Sequence, residues 1–122
     1  MAWEIEYYRT AAGAVPFEEY LESLSTKLLA KTLRSLQLLK LEGTRLREPD
    51  TKPLGDGLFE LRTSQGGEQG RSLFFFYDGG RVIVTHGFLK TTRKTPACEI
   101  ARALSYRKDY LSRVAGRGSA HG

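Results

Sequence analysis

The stretch from Leu58 to Phe88, "LFELRTSQGGEQGRSLFFFYDGGRVIVTHGF", decides the fold of this 122-residue chain. It contains three runs rich in aromatic and β-branched residues, "LFELRTS", "RSLFFFYD" and "RVIVTHGF", a composition that favours strands. Alternation places Glu60 and Arg62 on the same face of the first strand as Leu58. The linker "QGGEQG" is predicted to be a flexible turn and "DGG" a tight Asp-Gly hairpin turn. The stretch therefore predicts a three-stranded antiparallel meander.

The residues upstream predict one more strand and a helical hairpin. "WEIEYY", at 3–8, alternates like a strand. "PFEEYLESL" begins at Pro16, which suits a first helical turn, and its apolar residues have helical spacing. Ser25 is predicted to cap the next helix, "TKLLAKTLRSLQLLKLEG", which carries a leucine face and ends at Gly43. Residues 44–57 hold two prolines and two glycines without periodicity, so they are predicted to form a loop.

The residues downstream predict a closing helix and a tail. "ACEIARALSYRKDYLSRV" has helical apolar spacing, and Thr95, before Pro96, is a predicted N-cap. Residues 1–114 form the expected domain, and the glycine-rich residues 115–122 a flexible tail. The predicted order is β-α-α-β-β-β-α. This is an α+β domain, with an N-terminal helical hairpin and a C-terminal helix packed against a small antiparallel sheet.

Charge is distributed unevenly along the chain, whose net charge is +5. Residues 1–42 contain five Lys/Arg and six Asp/Glu, whereas residues 43–122 contain fourteen and eight. The second half is therefore the half suited to nucleic acid or another acidic partner, although a basic surface alone would look the same. A single cysteine, the absence of any run of about 20 apolar residues and the lack of a signal sequence favour a cytoplasmic protein.

The cations of the second half are predicted to meet at one edge of the sheet. Antiparallel order brings together the end of the first meander strand, the start of the second and the exit of the third. Arg and Lys grouped in this way suit phosphate, and threonine hydroxyls nearby add donors. Taken singly, each of these residues is more simply a surface or paired charge. The set consists of Lys52, Arg62, Arg71, Lys90, Arg93 and Lys94, with Thr91, Thr92 and Thr95.

Several other classes of site lack their residues. The chain has no phosphate-cradling Walker sequence, and "GGEQG" does not stand between a strand and a helix as a dinucleotide fingerprint does. Its two histidines, His86 and His121, are far apart, so neither a metal site nor a Ser/His/Asp triad is expected. We expect no metal and no cofactor. His86 itself reads as either a proton donor or a half-buried strand residue.

Four blocks of the sequence resemble the RelE/ParE superfamily of type II toxins, in its HigB-like, phage-derived branch. They are "YYRTAAGAVPFEEYLESL", "KPLGDGLFELR", "RSLFFFYD" and "HGFLKTTRKTPACEIARAL", and the resemblance around them runs from about residue 3 to residue 110. The resemblance implies a RelE-like fold and a metal-independent endoribonuclease that cleaves mRNA on the ribosome. It also implies a helix-turn-helix antitoxin as partner, with a toxin–antitoxin heterotetramer as an expected assembly.

The resemblance also assigns roles to the cations. It assigns Arg62, Arg71, Lys90 and Lys94 as catalytic and Lys52 and Arg93 as RNA-binding. The hydroxyls of Thr91 and Thr92, although not part of the family pattern, are added to the RNA-binding set as donors. Two departures lower the charge of the site: Thr91 stands where relatives tend to have a second lysine, and Glu60 stands where RelE-like enzymes have a strand lysine. Glu60 could act as a base if it faces the same edge.

Two alternatives keep the same family blocks without RNA cleavage. One is a ParE-like inhibitor of a topoisomerase, which needs no catalytic residues. The other is a catalytically weak, phage-derived binding module, consistent with the departure at Thr91.

We predict that Thr91→Lys speeds RNA cleavage, because it adds a cation where negative charge develops in the transition state. The measurement is the single-turnover cleavage rate of an RNA substrate, with the uncharged Thr91→Gln as control. An equal or slower rate for Thr91→Lys would show that the site is not limited by charge.

Overall fold

The computed structural model describes the backbone of residues 2–121 and the side chains of residues 2–116. Five strands and three helices follow one another, with a 3₁₀ turn at Gly43–Arg45. The elements are β1 (Glu4–Tyr7), α1 (Pro16–Glu22), α2 (Thr26–Glu42), β2 (Thr51–Gly55), β3 (Leu58–Gln65), β4 (Glu68–Tyr77), β5 (Arg81–Leu89) and α3 (Ala97–His121). In the part of the chain so described, no helix combines the length and apolarity needed to cross a membrane.

The strands form one sheet in the order β1-β5-β4-β3-β2. The predicted α+β class and the β3-β4-β5 antiparallel meander are confirmed. The sheet is mixed rather than wholly antiparallel, because β1 runs parallel to β5, with Ile5 opposite Val82. The sequence could not reveal this direction, since β1 and β5 are separated by most of the chain and local periodicity carries no information on partners.

Both hairpin turns of the meander are tight. Asp78 and Gly79 have φ of 50° and 74°, which confirms the predicted Asp-Gly turn. The predicted flexible linker at 65–70 is wrong in extent. Gln65 pairs with Glu68, so only two glycines form the turn and both strands run longer than expected.

The predicted loop 44–57 contains strand β2, which is a correction. β2 pairs with β3 as an edge strand and has a register shift between Pro53 and Gly55. A proline is tolerated here because the outer side of an edge strand needs no ladder hydrogen bond. Asp56 and Gly57, with φ of 53° and 81°, turn the chain into β3.

Each face of the sheet is covered by helix. α1 and α2 cover one face, where Phe17, Leu39, Leu61 and Phe74 belong to a buried cluster. The predicted cap of α2 is confirmed, because the Ser25 side chain accepts a hydrogen bond from the Leu28 N–H.

α3 covers the opposite face. Leu58, Leu73, Phe75, Ala103 and Tyr110 are buried there. The backbone of α3 continues to His121, past the expected boundary at 114, while Gly122 lies outside the described residues. The division into domain and tail stays a prediction.

Two glycines make a notch in the sheet for the Tyr20 ring. A Cβ built on Gly87 would lie 2.3 Å from Tyr20 Cδ2, and one on Gly70 would lie 2.4 Å from the Tyr20 hydroxyl. Such distances are well inside van der Waals contact, so α1 can pack this close only because both positions lack side chains.

We predict that Gly87→Ala lowers the free energy of unfolding by about 1–3 kcal/mol, the usual cost of overpacking a core. Urea denaturation measures it. Gly67→Ala is the control, because a Cβ at Gly67 meets nothing within 4 Å. Equal stability of the two variants would contradict the close packing of Tyr20 on the sheet.

Candidate functional site

The meander brings four of the predicted cations to one end of the sheet. Arg62 on β3 lies directly opposite Arg71 on β4. The Lys90 N–H donates to the Gln69 carbonyl at 2.7 Å, which holds the chain leaving β5 beside the start of β4. Lys52 on β2 lies opposite Glu60, two residues before Arg62. These four residues, Lys52, Arg62, Arg71 and Lys90, are called the cation cluster below.

The other members of the cation cluster affect the pKa of Lys90. Partial burial lowers its pKa, and the charge of Arg71 lowers it further. Arg62 and Lys52 act in the same direction, while Glu60 opposes them. An ammonium with a lowered pKa gives up its proton more readily than a free lysine.

A buried carboxylate lies beneath the cation cluster. Glu60 is fully buried, and its Oε2 is 2.9 Å from Arg62 Nε and 3.6 Å from Arg71 Nε. Its Oε1 accepts a hydrogen bond from the Thr95 hydroxyl. Three separate parts of the chain, β3, β4 and the segment before α3, therefore meet at one side chain.

Glu60 is ionised and is unsuited to act as a base. Burial raises the pKa of a carboxyl, but the hydrogen bonds from Thr95 and Arg62 and the charges of Arg71 and Arg62 outweigh it, so the pKa of Glu60 is lowered. A carboxylate with a low pKa and no exposed surface can neither reach a 2′-hydroxyl nor hold its proton.

The two arginines differ in what they can offer a ligand. Arg71 is 5% exposed, and its terminal nitrogens donate to the Gly70 carbonyl at 2.9 Å and to Gln69 Oε1 at 3.2 Å. Arg71 therefore supplies mainly charge from below the surface. The Arg62 side chain is 27% exposed, and its bond to Glu60 uses Nε, which leaves two terminal nitrogens for other partners.

The remaining predicted residues lie in the segment after β5. Thr91, Thr92, Arg93 and Lys94 are exposed, and the Thr92 hydroxyl donates to the Lys94 carbonyl at 2.8 Å. An open groove of about 700 Å³ is lined by Gly67, Gln69, Lys90, Thr91, Thr92 and Arg93. Lys90 therefore belongs to both the cation cluster and the groove, whereas Lys94 does not line the groove.

Sequence comparison connects this site to a protein family. The model of the family described as "Phage derived protein Gp49-like (DUF891)" matches residues 19–108, which is more than half of the chain. The chain belongs to the Gp49-like family. This family is related to the toxins of toxin–antitoxin systems. A comparison with curated proteins finds no match.

The match to the Gp49-like family covers the whole cation cluster and Glu60, from Lys52 to Lys90, and extends into α3. Strand order alone predicts that the arginines and Lys90 lie near one another. It does not predict the role of Thr95, whose hydroxyl donates to Glu60 instead of capping the helix as expected. The available signal was the carboxylate of Glu60 on the same strand face as the buried Leu58, because a charge in such a place needs partners.

In this Gp49-like protein, His86 is a buried residue with a structural role. It is 1% exposed, its Nε2 is 3.0 Å from Glu99 Oε1 and its Nδ1 is 3.2 Å from Thr85 Oγ1. Burial lowers the pKa of His86, which opposes its protonation despite Glu99. Of the two interpretations made from the sequence, the geometry supports the buried strand residue that joins β5 to α3.

Titration of Glu60 predicts how stability depends on pH. Its folded-state pKa lies below the unfolded value of 4.5, so its contribution is complete above pH 4.5 and is lost as pH falls through the lowered pKa. At neutral pH, Glu60→Gln should cost about 3 kcal/mol, because it leaves the buried Arg71 without a counter-charge. Chemical denaturation at several pH values measures the difference between the two proteins. The difference should shrink below pH 4.5, and a constant difference would contradict an ionised Glu60.

Proposed function

We propose that this Gp49-like protein is the toxin of a type II toxin–antitoxin module and cleaves mRNA as a metal-independent endoribonuclease. The observation that carries the proposal is the cation cluster, three of whose four members have exposed or partly exposed side chains facing one end of the sheet. Membership of a family related to toxins supports the assignment of this protein as a toxin.

The proposed reaction is an internal transfer at an RNA phosphate. The 2′-oxygen forms a bond to phosphorus, and the bond from phosphorus to the 5′-oxygen breaks. The products are a 2′,3′-cyclic phosphate and a 5′-hydroxyl end, and the proton lost from the 2′-hydroxyl is balanced by one gained at the 5′-oxygen. No oxidant, reductant or further reactant is needed.

The cation cluster supplies two of the functions that this reaction needs. The terminal nitrogens of Arg62 can bind two phosphoryl oxygens at once. Buried Arg71 adds a positive charge, whose attraction to the phosphoryl oxygens grows as negative charge develops in the phosphorane. Lys90 suits the role of general acid for the 5′-oxygen, because its pKa is lowered by partial burial and by the charges of both arginines. The flanking phosphates would be bound by Lys52, Arg93, Thr91 and Thr92. Resemblance assigns Lys94 to the catalytic set.

The partners follow from the same proposal. We expect a helix-turn-helix antitoxin, mRNA on the ribosome as substrate, a toxin–antitoxin heterotetramer and a cytoplasmic site of action. Assignment to the HigB-like branch rests on sequence resemblance alone, most of all in the block "HGFLKTTRKTPACEIARAL".

Removing single cations tests the proposal. Arg62→Ala and Lys90→Ala should each lower the cleavage rate by roughly 10²–10³-fold, the effect of losing one donor to a developing charge. Arg93→Ala should weaken RNA binding with a smaller loss of rate, because it lies at the groove. Primer extension on mRNA after induced expression, and single-turnover cleavage on programmed ribosomes, measure these effects.

The matched controls are Lys31→Ala and Arg34→Ala, which remove the same charge from the exposed side of α2. If the controls lose as much activity as the cluster variants, net charge and not the cluster is responsible. Growth arrest with intact mRNA and halted replication would instead identify a topoisomerase inhibitor.

A further inference from the structure

The segment that carries the groove is tethered at both ends. At its start, the Lys90 N–H donates to the Gln69 carbonyl on β4 at 2.7 Å. At its end, the Thr95 hydroxyl donates to Glu60 on β3. Four exposed residues, 91–94, lie between the two tethers, and we call residues 90–95 the cationic loop.

The second tether depends on a buried carboxylate, at a position where packing alone does not require a charged side chain. Glu60 lies in register with Lys52 and Leu73, and it is fully buried. Burying a carboxylate costs free energy that an apolar side chain of similar size would not incur, and ion pairs only offset that cost. What the carboxylate provides, and an apolar side chain does not, is hydrogen bonding to two different donors. One oxygen accepts from Thr95, and the other accepts from Arg62 at 2.9 Å.

We propose that Glu60 is a positioning residue that orients Arg62 and, through Thr95, holds the cationic loop beside it. The consequence for cleavage rests on the proposed function, whereas the positioning itself does not. The bond to Glu60 uses Nε of Arg62, which leaves its two terminal nitrogens for a ligand. Because Thr95 uses the other oxygen, Arg62 and the loop are coupled through one rigid group.

This role is distinct from that of a base. A base must lie within reach of the proton that it removes, and Glu60 is enclosed by Thr95, Arg62 and Arg71. The positioning role predicts that the hydroxyl of Thr95 matters, although that hydroxyl donates to the carboxylate and contacts no substrate. If Glu60 were the base, losing the hydrogen bond from Thr95 would raise the pKa of Glu60 and move the pH profile of kcat, without loosening the cationic loop.

The test compares Thr95→Val with Thr95→Ser. Valine keeps the shape of threonine but cannot donate to Glu60, while serine keeps the hydroxyl. The backbone ¹⁵N order parameters of residues 91–94, measured by NMR relaxation, should fall in Thr95→Val and stay unchanged in Thr95→Ser. The Nε–H signal of Arg62 should shift and exchange faster in Glu60→Gln, because its acceptor is then a neutral amide.

Cleavage supplies the second readout. In Thr95→Val, kcat per folded molecule should fall roughly tenfold with KM within about threefold, because the charges remain and only their placement is lost. Thr95→Ser should stay within about threefold of the parent in both constants. Thermal denaturation corrects for any loss of folded protein.

Two results would overturn the proposal. One is unchanged order parameters of residues 91–94 in Thr95→Val, and the other is a looser loop with unchanged kcat. If the parent protein cleaves no RNA, the proposed function fails, and the loop order parameters and the Arg62 signal still decide whether Glu60 positions the site.

Discussion

The pairing of Arg62 with Arg71 across β3 and β4 is the constraint around which the rest of this end of the molecule is arranged. Two guanidinium groups in neighbouring register positions repel each other, and the repulsion grows as water is excluded. The buried carboxylate of Glu60 makes the arrangement stable, because it lies within 3.6 Å of the Nε of each arginine. The same carboxylate reaches Thr95, so the balance of charge and the position of the cationic loop depend on one side chain.

The packing on the two faces of the sheet sets how deeply the charges around Glu60 are buried. On one face, the notch at Gly70 and Gly87 lets the Tyr20 ring lie against the sheet beside the start of β4. On the other face, the pair of His86 and Glu99 joins β5 to α3. Arg71 is 5% exposed, so its charge acts in a medium of lower dielectric constant than water, where electrostatic interactions are stronger.

Much of the candidate site followed from strand order. Antiparallel neighbours place the end of one strand next to the start of the following one, so the approach of Arg62, Arg71 and Lys90 was predictable. Their depth was not predictable, because alternation assigns a residue to a face without saying what covers it. Arg71 was predicted as a ligand contact and is enclosed at 5% exposure, whereas Glu60 was considered as a base and is an ionised, buried partner.

The sequence by itself determined the elements whose signals are local. These are the meander, the Asp78-Gly79 turn and the Ser25 cap, since each depends on residues within a few positions of one another. Only the tertiary structure decided the parallel pairing of β1 with β5. It also decided the hydrogen bond between Thr95 and Glu60, two residues that are 35 positions apart. Contacts of this kind arise from packing between distant segments, and no local pattern of hydrophobicity or turn residues specifies them.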